Sequence, residues 1–338
     1  MTTASNLKRL IKLVKRFRRV RLVVAGDLVA DEFIYGQIDR VSREAPVLIL
    51  KYSATEIVPG GGGNAANNAC ALGAKVRVLG VVGRDAAGDR LLEVLGTRAN
   101  VSGVVRAPRM TTPVKTRILA GGVHSAKQQV VRIDKAGATI PEAAARSVEN
   151  GLARALRKAD AVILSDYGAG LITPASWRRA LAAAAITRPP IVMVDSRYGL
   201  TGFTGITACT PNESEAEALL GTRLGDDPAA LERAGRTLLS RLQCRAVLIT
   251  RGSRGMALFE PGRPTDHIAI VGSDQIADVT GAGDTVIATF TLALAAGGTF
   301  VDAARLANVA GGLVVMKRGT ATVSQDELIG SLEATLSR

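Results

Sequence analysis

The sequence predicts an α/β protein built on a mainly parallel sheet, and three observations predict it. Short apolar runs alternate with longer stretches of helical period from Arg21 to Lys317. Several of the short runs end in polar or glycine-bearing turns: Gly26-Asp27, Gly83-Arg84-Asp85, Ser165-Asp166-Tyr167-Gly168, Asp195-Ser196-Arg197 and Thr250-Arg251-Gly252. Two stretches, about 33–57 and 104–134, break this rhythm and read as β excursions that pack together as a lid. Strands separated by helices pair in parallel, and open sheets of this kind place ligands at the carboxyl ends of their strands.

Composition narrows the class. The 338 residues are 47% hydrophobic, enough for a sizeable core, and the length suits one domain. Aromatics are only 3%, so that core rests on Ala, Val, Leu and Ile. No apolar run reaches the ~18–20 residues of a spanning helix, and the N-terminus lacks the pattern of a signal peptide, so a cytoplasmic location is expected. Cys70, Cys209 and Cys244 are isolated, and His124 and His267 have no partner at metal-ligand spacing. The net charge of +13 is compatible with nucleic acid, a membrane surface or anionic small molecules. With little aromatic stacking surface and no recognisable module, no nucleic-acid partner is expected.

In chain order, the basic segment Lys8–Arg21 carries Leu10, Ile11, Leu13, Val14 and Phe17 at helical spacing, a stripe expected to pack on the domain. Strand 21–25 then ends at Asp27, and Asp27 and Asp31 are placed at its carboxyl edge. After the first excursion, Gly60-Gly61-Gly62-Gly63 opens an Ala-rich helix in which Asn64 and Asn68 share a face; the glycines admit close backbone approach by a ligand. Strand 76–82 and helix 87–95 follow. In the second excursion Lys115 and Arg117 lie on one strand face, where they can converge on an anion or merely protect an edge. Helix 141–157, strand 161–164, helix 174–185 and strand 191–194 restore the α/β alternation. Thr210-Pro211-Asn212-Glu213-Ser214-Glu215 opens another helix, so Glu215 reads equally as an ordinary first-turn acid and as a functional one. Strand 246–249 ends in a turn bearing Gly252 and Gly255, and Phe300–Lys317 reads as a further helix.

Chemistry concentrates in Asp278-Val279-Thr280-Gly281-Ala282-Gly283-Asp284-Thr285, which precedes an apolar helix, Val286–Ala296. The amides of Gly281, Ala282 and Gly283 at a helix start form an anion site, and Asp284 stands beside them. An anion cradle with an adjacent base is what phosphoryl transfer to a hydroxyl requires. Asp284 also reads as a simple N-cap.

The octet resembles the C-terminal signature of the ribokinase-like sugar kinases, the phosphofructokinase-B family. Gly26-Asp27, Gly61-Gly62-Gly63-Asn64, Gly83-x-Asp85, Asn212-x-x-Glu215 and Thr250-Arg251-Gly252 follow that family in content and order. Within it, Ser42-Arg43-Glu44-Ala45-Pro46-Val47, Gln128-Gln129 with Arg132 and Asp134, and Ser165-Asp166-Tyr167 are similar to bacterial heptose 7-phosphate kinases. The resemblance implies a three-layer α/β/α fold and ATP-dependent phosphorylation of the anomeric hydroxyl of a sugar phosphate. It implies Asp284 as base and Gly281, Ala282 and Gly283 as the cradle. Asp27, Asp31, Gly61, Gly62, Gly63, Asn64, Asn68 and Asp166 would meet the sugar, and Lys115, Arg117 and Arg132 its phosphate. Asn212, Glu215, Thr250, Gly252, Gly255, Asn308 and Gly312 would serve ATP, with Mg²⁺ held indirectly through Asn212 and Glu215. A homodimer through the lid is also implied, and with no His-x-Gly-His motif only a kinase half is expected. The chain departs from that group at Ala169 and Arg197, where lysines are usual. A kinase of unphosphorylated sugars or nucleosides and a non-catalytic sugar-phosphate sensor are the alternatives.

Overall fold

The apolar strands are buried on both faces, which forces helices onto both sides of the sheet that they form. In strand β1 (Arg21–Gly26), Leu22 and Val24 enter one core while Val23 and Ala25 enter the other. A computed structural model describes residues 3–122, 127–271, 278–317 and 319–336; His124 falls outside them.

Helix α1 (Thr3–Arg16) precedes β1, and β2 (Leu28–Val41), β3 (Leu48–Gly61) and α2 (Gly62–Ala71) follow it. Next come β4 (Lys75–Gly83), α3 (Ala86–Gly96), β5 (Asn100–Ala107), β6 (Val114–Gly121), β7 (Gln128–Lys135) and α4 (Glu142–Leu156). The second half runs β8 (Ala161–Asp166), α5 (Pro174–Ala184), β9 (Ile191–Ser196), β10 (Ala208–Cys209), α6 (Glu213–Leu220) and α7 (Pro228–Leu242). It ends with β11 (Ala246–Thr250), β12 (Met256–Phe259), β13 (Asp266–Ile268), α8 (Ala282–Ala295), α9 (Phe300–Val314) and α10 (Gln325–Leu336).

The large sheet has the order β13-β12-β11-β10-β9-β8-β1-β4-β5, parallel from β11 to β5 with β12 and β13 antiparallel at one edge. Helices α1, α2, α8, α9 and α10 fill the core on one face, and α4, α5, α6 and α7 that on the other. A separate four-stranded sheet, β3-β2-β6-β7, forms the lid.

The predicted layers are present, with shifted borders. The first excursion begins at Leu28, so Asp31 belongs to the lid strand β2 and not to the edge of a parallel strand. Residues 104–107 belong to β5 in the large sheet, and the second half of the lid is β6 and β7. Of the glycine run, Gly60 and Gly61 end β3, and the helix starts at Gly62. Strands β10, β12 and β13 and helices α7 and α10 were not foreseen from the sequence. β10 has two residues, and α10 has a weak apolar stripe that gains its meaning only against α1 and α9.

Helix α1 is packed, as its stripe predicts. Val14 and Phe17 are fully buried, Arg9 pairs with Asp302 on α9 at 2.6 and 2.8 Å, and Gln325 donates to the Val14 carbonyl. No helix among the described residues is long and apolar enough to cross a membrane.

Candidate active site

Three adjoining cavities lie where the parallel strands end, and the lid covers one of them. The central one, about 330 Å³, is lined by Asp284, Asp195, Glu215, Asn212, Gly281 and Gly283 among others. A second, about 500 Å³, runs under the lid between Asp27, Tyr167 and Arg197 on one side and Lys115, Asp134 and Lys135 on the other. The third, about 250 Å³ and mostly apolar, lies between Gly252, Gly255, Met256, Val286, Asn308 and Gly312. Tyr167 and Arg197 border both the first and second; Thr250, Val279 and Gly283 border both the first and third.

Asp284 is the pivot. Gly281 is the N-cap of α8, in the left-handed region at φ 78°, and Asp284 sits in the helix's first turn. Its carboxylate therefore does not cap the helix. It accepts instead from Asn64 Nδ2 at 2.7 Å and from the Tyr167 hydroxyl at 3.3 Å. Burial, reinforced by the negative charge of Asp195, pushes its pKa up to about 8, against the opposing pull of those two donors. Asp195 is likewise raised, to about 7, by desolvation deep in the fold and then by Glu215. Such perturbed carboxylates in a cleft mark chemistry more often than structure.

The amide cradle is partly occupied. Ala282 donates its N–H to the Val279 carbonyl at 3.2 Å, so it is not open to a ligand as the sequence implied. The amides of Gly281 and Gly283 have no protein acceptor among the described residues and border the central cavity. A Cβ on Gly283 would meet nothing within 4 Å, as expected where a ligand comes close to the backbone.

Sequence comparison decides the family. The model of the pfkB family carbohydrate kinases matches residues 23–327. The chain belongs to the pfkB family of carbohydrate kinases. The bifunctional protein HldE of Geobacter metallireducens is 41% identical over 327 residues, 96% of this chain and 65% of that one. Its namesake from Caulobacter sp. strain K31 is 38% identical over 323 residues, 95% of this chain and 64% of that one. The kinase thus spans a little under two thirds of the length of these curated relatives. In fold it is similar to Arabidopsis thaliana ribokinase complexed with ribose and ATP, with a TM-score of 0.70, 21% identity, and 93% and 99% of the two chains covered. Escherichia coli phosphofructokinase-2 in complex with fructose-6-phosphate gives a TM-score of 0.75 at 21% identity, with 94% and 100% covered.

Other predicted site residues fall into place around Asp284 with changed tasks. Asp27 is 4% exposed; its Oδ2 accepts the amides of Tyr167 at 2.9 Å and Ala169 at 3.0 Å, while its buried Oδ1 has no partner among the described residues. Desolvation raises Asp27 to about 6, and the residue borders the lid cavity. Asp166 accepts from Ser196 Oγ at 2.7 Å and Gly168 N at 3.0 Å and also borders the central cavity. Gly61 and Gly62 press against the Asp27 carbonyl, and Gly63 against Pro59 and Leu95.

Asn68, expected at the sugar, is fully buried behind Asn64. Its amide donates to Asn64 Oδ1 and backbone O, and it accepts from Thr285 Oγ1. It fixes the rotamer that aims Asn64 at Asp284. Asp31 is taken up by Arg117 in a buried ion pair at 2.7 Å, and Arg132 is held by Asp134 in two bonds of 2.7 Å. Of the three expected phosphate cations, Lys115 alone lines the lid cavity; Lys135 and Arg197 join it there. Burial lowers the Lys115 pKa.

Asn212 and Glu215 form a reciprocal capping box on α6, each accepting the other's amide at 2.9 Å, and both still face the central cavity. The structural reading of Glu215 holds, and its side chain also borders the central cavity. Asn308 donates to the Ala269 carbonyl at 2.7 Å at the wall of the apolar cavity, where Thr250, Gly252, Gly255 and Gly312 also lie. Asp195, Tyr167 and Lys135 had no role assigned from sequence; for the first two, a position at a strand's carboxyl end was the available signal.

Proposed function

We propose that the kinase transfers the γ-phosphoryl group of ATP to the anomeric hydroxyl of D-glycero-β-D-manno-heptose 7-phosphate, giving the 1,7-bisphosphate. The observation that carries this reading is the raised, buried Asp284 in the central of three adjoining cavities, whose linings differ in the way that a sugar phosphate, a polyphosphate and a purine would require.

Ionised Asp284 takes the proton of the acceptor hydroxyl as its oxygen attacks the γ-phosphorus, and ADP leaves. The Gly281 and Gly283 amides stabilise charge on the transferred group. Asp27 Oδ1 accepts from a sugar hydroxyl, and Lys115, Lys135 and Arg197 meet the 7-phosphate. The apolar cavity beside Asn308 receives the base. Asp195, Glu215 and Asn212 present hard oxygen donors facing one cavity, yet no group of three carboxylates, His or Cys able to hold a metal exists among the described residues. That set fits Mg²⁺ held mainly through ATP phosphates and water. When bound, it neutralises charge on the phosphates.

The test is ADP release against heptose 7-phosphate, sedoheptulose 7-phosphate, fructose 6-phosphate, ribose and adenosine. Strongest turnover on heptose 7-phosphate is expected. Lys115→Met should raise KM for that substrate about 10-fold or more with a smaller change in kcat, because loss of one charge-assisted contact costs ~1.5–3 kcal/mol. A parent preference for ribose would overturn the substrate.

We also propose that two chains pair through the lid. Val41, Leu48, Tyr52, Val131 and Ile133 stand exposed on its strands, an apolar display that a monomer rarely leaves open. Sedimentation as a monomer at micromolar concentration would rule pairing out.

A further inference from the structure

Tyr167 occupies the boundary between the central and lid cavities, and nothing in the reaction as described uses it. Its backbone is fixed, since its amide donates to Asp27 at 2.9 Å. Its side chain is only partly buried and ends at Asp284 Oδ1, 3.3 Å away. Two cations of the lid cavity lie over its ring, Lys115 at 5.5 Å and Arg197 at 5.4 Å from the centroid. Attraction of each cation to the ring face holds the ring where it is. The phenol thus stands against the base, where an acceptor hydroxyl must come, and the cations that steady it are those facing the space for a substrate phosphate.

We infer that Tyr167 is a displaceable cap on Asp284, released when the phosphate of a bound sugar phosphate draws Lys115 and Arg197 away from its ring. The inference rests on the kinase reading above. A phosphate dianion attracts an ammonium and a guanidinium more strongly than an aromatic face does. Loss of both cations frees the ring to rotate about its side-chain bonds while Asp27 keeps the backbone in place. The base is then open to the sugar hydroxyl. Without a phosphorylated sugar the cap stays, and water is kept from the base. This limits the wasteful reaction in which a water oxygen attacks the γ-phosphorus, gives its proton to Asp284 and expels ADP. A sugar without a phosphate leaves the cations on the ring, so the cap also sorts substrates by charge.

The hydroxyl also favours the ionised form of Asp195, though its hydrogen bond goes to Asp284. One O–H proton cannot serve two carboxylates at once. The negative charge of Asp284 and burial together raise the Tyr167 pKa, so the phenol stays protonated and remains a donor.

The experiment compares the parent with Tyr167→Phe, which keeps the ring and its cations and removes only the hydroxyl. On the alkaline plateau of each protein's own pH profile, where Asp284 is ionised in both, sugar-independent ATP hydrolysis should rise about tenfold in the variant, matching the loss of one hydrogen bond to a charged group. The turnover ratio of phosphorylated to unphosphorylated sugar should fall by a similar factor. The acid limb of the hydrolysis profile should move to higher pH, because ionised Asp284 has lost a donor; a merely structural tyrosine would leave that limb in place. The chain has four tyrosines, so the near-ultraviolet difference spectrum on adding sugar phosphate can be read, and its loss in the variant is expected. Unchanged hydrolysis and an unchanged limb overturn the cap, as does loss of both activities with ATP binding intact. A parent that ignores sugar phosphates, beside a variant with raised hydrolysis, overturns both the proposed substrate and the release of the cap by phosphate, and leaves only the shielding of Asp284 by Tyr167.

Discussion

Asp284→Asn should lower turnover by about 10²–10⁴-fold while nucleotide affinity stays within about threefold of the parent. The substitution keeps the shape of the side chain in the central cavity and removes its basicity. A general base contributes chiefly in the transition state, so kcat bears the loss. The parent carries a pH signature of the same group. Burial and Asp195 hold Asp284 at about 8, and only its ionised form can accept a proton. Turnover should therefore rise as pH climbs through about 8 and level off above it. In Asp284→Asn that limb should be missing from the residual activity. Steady-state kinetics over pH 6 to about 9.5, with nucleotide affinity measured separately, reads both. Near-parental turnover in the variant would remove Asp284 from the chemistry.

Gly281→Ala should cost both stability and rate, whereas Gly283→Ala should cost rate with little loss of stability. Gly281 has φ 78°, a conformation that costs an L-residue about 1–2 kcal/mol. A methyl group there would also stand 2.5 Å from Asn64 Nδ2. Asn64 cannot give way cheaply, because Asn68 holds it from behind and Asp284 accepts from it in front. The variant should lower Tm by about 2–8 °C and turnover by about tenfold or more, as the donor on the base is displaced. Gly283 is different. Its added methyl meets no protein atom and enters open space, and alanine favours the first turn of α8 by up to about 1 kcal/mol. Its Tm should hold or rise while the cleft is narrowed where the polyphosphate would lie. Thermal melts beside turnover separate the two effects. Parental turnover in Gly281→Ala would show that the Asn64–Asp284 contact is dispensable.

Much of the fold was legible because the parallel sheet writes itself into local sequence. Strands such as 161–164 are apolar throughout, since both faces are covered, and each stops where the chain must turn at the ligand edge. Helix α1 declared its buried stripe through residue spacing alone. Less legible were β10, which has two residues and exists because β9 and β11 flank it, and the antiparallel edge of β12 and β13. Short strands carry too little period to be seen before their neighbours are in place.

By itself, the sequence determined the kinds of chemistry present: a glycine-rich helix start, a carboxylate beside it, paired asparagines and a set of cations under a β lid. Only the tertiary structure decided which of these groups are free to act. Arg117 and Asp31 are 86 residues apart and neutralise each other, while Asn64 reaches across 220 residues to Asp284. Asp195 and Asp284 acquire raised pKa values from a shared low-dielectric setting that no local motif encodes. The reason is physical: residue type fixes what a side chain can donate, accept or carry. Which partner takes up that capacity, and how much water remains around it, depends on segments far away in the chain.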